Sequence, residues 1–190
     1  MNPGDVLLKL AFVGALASTA LFVPALRGRK SGLAGWVFTG HALVLTASLA
    51  VLWWLFLGHR FEYDYVAQYS SRALSPALTF AASWAGQEGS ILLWVTMAAL
   101  LGLALLRQPG VLGRPAMFFL SLLQVFLMVL LMVRSPFRLS PMVPQDGQGL
   151  NPLLEDPWMV VHPPVLFLGY AALAVPFALG LAALVRQDYK

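Results

Sequence analysis

The chain has no cysteine, so it holds no disulfide and offers no thiolate to a metal. Any thiol chemistry it serves belongs to a partner or a substrate. Charge is also scarce: 11% of residues are Asp, Glu, Lys or Arg, against about 25% in an ordinary soluble domain. The net charge of +4 comes without a basic cluster interleaved with aromatics, so no nucleic acid is expected as a partner. A cleaved signal peptide is not expected either. The leading MNPGD carries no positive charge ahead of the first apolar run, and the basic RGRK cluster follows that run instead.

Apolar residues fill the space. They make up 59% of the chain, and mean hydropathy is +0.78. Five segments are long enough, or nearly so, to cross a hydrocarbon core, which takes roughly 17–25 helical residues. They are Val6–Leu26, Ala34–Leu57, Gly89–Leu106, Ala116–Val133 and Val165–Val185. The expected fold is all-α: one transmembrane helical bundle of about five spans over residues 1–190. Small residues at Gly14–Ala20, Ala98–Ala104 and Ala171–Ala174 would let helix backbones approach closely.

Orientation follows from Lys and Arg. Arg27, Arg29, Lys30, Arg107, Arg114, Arg186 and Lys190 follow spans one, three and five. The other side carries Arg60, Arg72, Arg134 and Arg138 in two longer loops, 58–88 and 134–164. The positive-inside rule then puts the N-terminus outward and the C-terminus in the cytoplasm. Lys9 is placed to snorkel outward, four residues after Asp5. Within loop 58–88 the polar start gives way at Leu78–Trp84 to an interfacial or re-entrant segment. The prolines of loop 134–164 preclude a long helix and permit a stiff path over the membrane surface.

That second loop ends in NPLLEDPWMVVHPPVLFLGY, Asn151–Tyr170. Proline fits a helix's first turn, so Pro163 and Pro164 predict the start of the fifth span, with His162 at its mouth. The positive end of the helix disfavours imidazolium and leaves a neutral ring able to bind metal. An interfacial cap bonded to backbone is the plainer alternative.

The same stretch, with WAGQEGSILLW at Trp84–Trp94, resembles the N-terminal part of the CcmF family, membrane subunits of bacterial and plant-mitochondrial cytochrome c haem lyase. YVAQYSSRALSPALTFAASW and RSPFRLSP at Arg134–Pro141 fit the same pattern, so the likeness runs from about Phe61 to Ala183. The resemblance implies a subunit of the bacterial inner membrane with its site on the periplasmic side. Such a subunit takes haem from a haem chaperone and assists its attachment to the CxxCH cysteines of apocytochrome c, which a thiol-handling subunit presents. It implies His162 as a haem iron ligand. The family's tryptophan-rich motif, second periplasmic histidine and transmembrane haem ligands lie beyond the residues here. The chain therefore reads as the first part of a larger subunit, a split polypeptide or a truncated one, holding part of the site and docking the remainder of the lyase. A relative serving nitrite-reductase maturation is the alternative within the family.

Other candidates each have two readings. Arg134 and Arg138, four apart, could clamp haem propionates bidentately or anchor the interface. Glu88 could cap its helix or give a polar lining for haem or quinol. Trp84, Trp94 and Trp158 could stack on a porphyrin or form an aromatic belt; Trp158 is the best stacking candidate, and Trp94, deeper in its helix, fits core packing better. Glu155 and Asp156 are the acidic neighbours able to orient His162. His41, inside span two, reads as a functional intramembrane group or as a core histidine bonded to Thr39 or neighbouring backbone. His59, beside Arg60 at the interface, reads as solvated. From other classes, a transporter is opposed by spans with little polar content, and a purely structural subunit leaves the HPP and QEGS motifs without a purpose.

Overall fold

A computed structural model describes residues 2–29, 32–108 and 110–187; Lys30 and Lys190, counted above among the basic residues, lie outside them. Seven α-helices are described: α1 Pro3–Leu26, α2 Gly32–Leu57, α3 Asp64–Tyr69, α4 Pro76–Ala82, α5 Gln87–Arg107, α6 Gly113–Val133 and α7 Pro157–Arg186. Five of them, α1, α2, α5, α6 and α7, are long and apolar enough to cross a membrane.

The spans begin and end on local chemistry. Asn2 caps α1 by accepting the Asp5 N–H at 2.9 Å, with Pro3 behind it. At the other end of α1 the Gly28 N–H donates to Ala25 O and the Arg29 N–H to Pro24 O. This paired closure needs a left-handed residue, and Gly28 supplies it with φ +72°. The end of α2 closes in the same way: the His59 N–H donates to Phe56 O and the Arg60 N–H to Leu55 O. There the left-handed position, φ +47°, is held by His59.

Between the spans, α1 packs on α2 and α6, while α5 packs on α2, α6 and α7. Lipid is as apolar as leucine, so close backbones and shared polar groups must hold spans together. Gly102 admits the Phe38 ring, and Gly14 sits against His41, where an added Cβ would come within 3.1 Å of the His41 Cβ. His41 is 2% exposed and its Nδ1–H donates to Ala11 O of α1 at 2.8 Å. Its Nε2 lies 3.3 Å from the Gln124 side-chain amide of α6. With the Gln124 nitrogen turned toward His41, that nitrogen also donates to Val95 O and the oxygen accepts the Ala99 N–H of α5. One buried polar chain thus ties four spans. Thr39 takes no part, donating instead to Gly35 O.

The two long loops are stitched to each other at one end of the bundle. The Arg72 N–H donates to Asp146 at 3.0 Å, the Gln148 N–H to Ala67 O, and the Gly149 N–H to Ser70 O. The Arg72 and Gly147 N–H groups hold the Asp146 carboxyl below its ordinary pKa. Asp5 joins this end by accepting from the Ser135 hydroxyl at 2.9 Å, and Asn2 donates to Phe137 O at 2.6 Å. The interfacial segment expected at 78–84 is the short helix α4, packed on α2 with Thr79, Ala81 and Ala82 buried.

Candidate functional site

The fifth span starts earlier than the proline pair predicts. Asp156 caps α7 by accepting the Trp158 N–H at 2.8 Å, and Pro157 takes the first helical position. His162 is therefore more than a turn inside α7, and Pro163 and Pro164 interrupt its hydrogen-bond ladder rather than begin it. Proline at 164 has no N–H for Val160 O. That carbonyl is satisfied from outside the helix, by the Trp84 indole N–H at 3.2 Å. The proline pair and Trp84 together lock the head of α7 to the segment ahead of α5.

The imidazole of His162 is exposed and makes no hydrogen bond among the described residues. It borders a cavity of about 180 Å³ lined by Trp84, Ser90, Leu154, Val160 and Phe167. Trp158, one turn earlier, is 79% exposed. Asp156 serves as the helix cap, and neither it nor Glu155 bonds His162. Trp94 packs between Phe167 and Tyr170, at 6.2 and 5.6 Å between ring centres, which makes it a packing residue rather than part of a belt. Trp84 is likewise buried, edge-on to Phe80.

Arg134, Arg138 and Glu88 meet in a different place. With Asp64, Tyr65 and Gln68 they line a polar pocket of about 360 Å³. Glu88 lies in the first turn of α5, where Gly86 is the cap, and pairs with Arg134 at 3.9 Å. Glu88 and Ser90 are two residues apart and so project from opposite sides of α5. The His162 cavity touches Ser90 and the arginine pocket touches Glu88, so the head of α5 separates them. His59 is only partly solvated: its Nδ1 is buried without a partner and its ring lies against Phe61.

One organising residue has no signal in the sequence. Tyr65 is buried, donates its hydroxyl proton to Ser83 O at 3.2 Å and accepts the Gly86 N–H at 3.0 Å. Burial pushes its phenol far above the ordinary tyrosine value, so it remains a donor. A Cβ at Gly89 would overlap Ser83 O, and one at Gly86 would meet the Tyr65 and Tyr69 rings. The glycines of WAGQEGS are thus packing requirements around Tyr65.

Residues 84–190 match the family described as cytochrome C assembly protein. The chain is 34% identical to cytochrome c-type biogenesis protein CcmF of Pseudomonas aeruginosa over 96% of its own length and 29% of the relative's. It is 39% identical to the probable cytochrome c-type biogenesis protein NrfE of Escherichia coli, over 80% of this chain and 28% of the relative. A solved structure, cytochrome c heme lyase CcmF, superposes on the whole chain with a TM-score of 0.80 at 28% identity, covering 31% of that protein. The five membrane-long helices define a polytopic membrane protein. The chain belongs to the cytochrome c assembly protein family, and spans less than a third of the relatives it matches.

Proposed function

We propose that this chain forms the N-terminal membrane portion of a cytochrome c haem lyase, lying in the bacterial inner membrane with the head of α7 on the periplasmic side. His162 binds the iron of haem, which is substrate rather than resident cofactor. The observation that supports this is an exposed imidazole with no hydrogen-bond partner among the described residues, one turn from exposed Trp158. A core or capping histidine would be satisfied within the fold, as His41 is.

The fit to haem is a surface fit. A cavity of about 180 Å³ is below the roughly 300–1,000 Å³ of pockets that enclose drug-sized ligands. The macrocycle would lie against Trp158 and the outer face of α7, completed by the remainder of the lyase. A ring that needs no other partner keeps a nitrogen lone pair available for iron. Thioether formation adds a cysteine S–H across a vinyl C=C, the sulfur bonding one carbon and the proton going to the other. That chemistry belongs to haem and apocytochrome c, and this chain's part is to hold and orient. Arg134 and Arg138 are proposed for the propionates, with Glu88 setting the direction of Arg134. The haem chaperone and the thiol-handling subunit would dock on the two stitched loops. Similar identities to CcmF and NrfE relatives keep the NrfE type open as the second reading.

The test is complementation of a strain lacking the gene, read as haem-stained cytochrome c, with membrane levels of each variant checked. His162→Ala should insert normally and yield no holocytochrome, whereas His41→Ala, when present at normal levels, should mature it. Wild-type yield from His162→Ala would sink the haem-ligand reading.

A further inference from the structure

Ser90 closes the QEGS motif and borders the His162 cavity. Its N–H serves the α5 ladder, donating to Gly86 O at 3.1 Å. Its hydroxyl takes a different outlet from those of Thr39, Thr46, Ser48 and Thr96. Each of these donates four residues back within its own helix, to Gly35, Ala42, Val44 and Leu92, the common resort of a helical hydroxyl. The Ser90 hydroxyl passes Gly86 and donates to Trp84 O, ahead of the helix, at 2.7 Å.

Trp84 is thereby held on three sides. Its carbonyl takes the Ser90 hydrogen bond, its ring lies edge-on to Phe80 at 5.0 Å between ring centres, and its indole N–H donates to Val160 O. The residues flanking Trp84 and Ala85 are fixed by one group, since the Tyr65 hydroxyl donates to Ser83 O and accepts the Gly86 N–H. Val160 lies two residues ahead of His162, and Pro164 leaves that turn without its own closing bond. The direction of His162 therefore depends on Trp84, and the seat of Trp84 depends on Ser90.

Building on the reading of His162 as the iron ligand, we propose that Ser90 is a positioning residue for it. The Ser90 hydroxyl seats Trp84, and the Trp84 indole fixes the turn of α7 that carries the imidazole. Two simpler accounts predict otherwise. A Ser90 that touched haem directly would act independently of Trp84. One that only stabilised α5 would leave haem affinity unchanged in the folded protein.

The test titrates the purified full chain in detergent with haem, read by Soret absorbance, and follows hydrogen exchange without haem. Ser90→Ala should weaken haem about ten-fold, the effect of one orphaned carbonyl on an equilibrium. Without haem it should lose protection over the first two turns of α7 and keep it in α2 and α6. Ser90→Thr keeps the hydroxyl, has the cavity for its extra methyl, and should bind haem within about two-fold of wild type. Ser90→Val has the same shape without the hydroxyl and should match Ser90→Ala. That pair carries the test if the alanine variant does not accumulate. Ser90→Ala added to Trp84→Phe should weaken haem no further than Trp84→Phe alone, because one path is then broken twice. Haem dimethyl ester should lose as much affinity as haem, since the effect runs through the iron and not the propionates. Wild-type haem affinity without the hydroxyl, unchanged protection in α7, or additive losses in the double variant would each overturn the proposal. His162→Ala separates the two readings. If it loses haem while Ser90→Ala and Ser90→Val bind fully, only the assignment of Ser90 falls. If His162→Ala binds as wild type does, the ligand reading falls and takes this inference with it.

Discussion

At the scale of single residues, the three histidines separate cleanly by how their nitrogens are occupied. Among the described residues, His41 has both nitrogens engaged inside the bundle, His162 has neither engaged, and His59 carries a buried unpartnered Nδ1 on a left-handed backbone. A left-handed conformation costs an L-residue roughly 1–2 kcal/mol, and the same closure on α1 is made by Gly28. His59→Gly should therefore stabilise the end of α2 by about 1 kcal/mol, after the greater freedom of unfolded glycine is subtracted. The readout is the thermal midpoint in detergent, which should rise by roughly 2–4 °C. His59→Ala is the control: it removes the ring contact with Phe61, keeps the strain and should not rise. A glycine variant that melts below wild type would mean that the His59–Phe61 contact outweighs the strain.

At the scale of elements, the sequence made five spans legible because length and apolar content leave a bilayer few alternatives. The heads of the helices were less legible. Pro163 and Pro164 suit a first turn, but Asp156 and Pro157 supply a better one six residues earlier. What tolerates prolines in the second turn is a donor from elsewhere, the Trp84 indole on Val160 O. No local rule points from 160 to 84; only the three-dimensional path of α4 and α5 brings them together. For the same reason the candidates fell into two pockets rather than one, since Glu88 and Ser90 face opposite ways on α5. Trp84→Phe tests this lock. It keeps a ring against Phe80 and removes the donor, so an orphaned carbonyl should cost about 1–3 kcal/mol. Hydrogen exchange should report it as lost protection over the first two turns of α7, with α2 and α6 unaffected. Because His162 rides on those turns, holocytochrome yield should fall alongside. Unchanged protection in α7 would show that the prolines need no such partner.

At the scale of the whole molecule, charge is sorted between the two ends. Seven of the eight acidic residues, all but Asp188, precede a span or lie in the two stitched loops. Two of them pair with arginines there, Glu62 with Arg60 at 2.6 Å and Glu88 with Arg134 at 3.9 Å, and Asp146 accepts the Arg72 backbone N–H. The opposite end gathers Arg29, Arg114 and Arg186 around a cavity without acidic lining among its described residues. A basic end resists transfer across the membrane during insertion, whereas a neutralised end crosses more readily. That asymmetry argues for the stitched loops, the head of α7 and His162 all facing outward. These 190 residues contain no cysteine, so a thiol introduced among them is the only one they carry, and its labelling is read on this chain. Met142, 81% exposed in the second loop, and Val111, 65% exposed at the basic end, are suited to substitution. In spheroplasts a membrane-impermeant maleimide should label Met142→Cys fully, and Val111→Cys only after lysis. The reverse pattern would turn the molecule over, place His162 in the cytoplasm and overturn the proposed binding of periplasmic haem there.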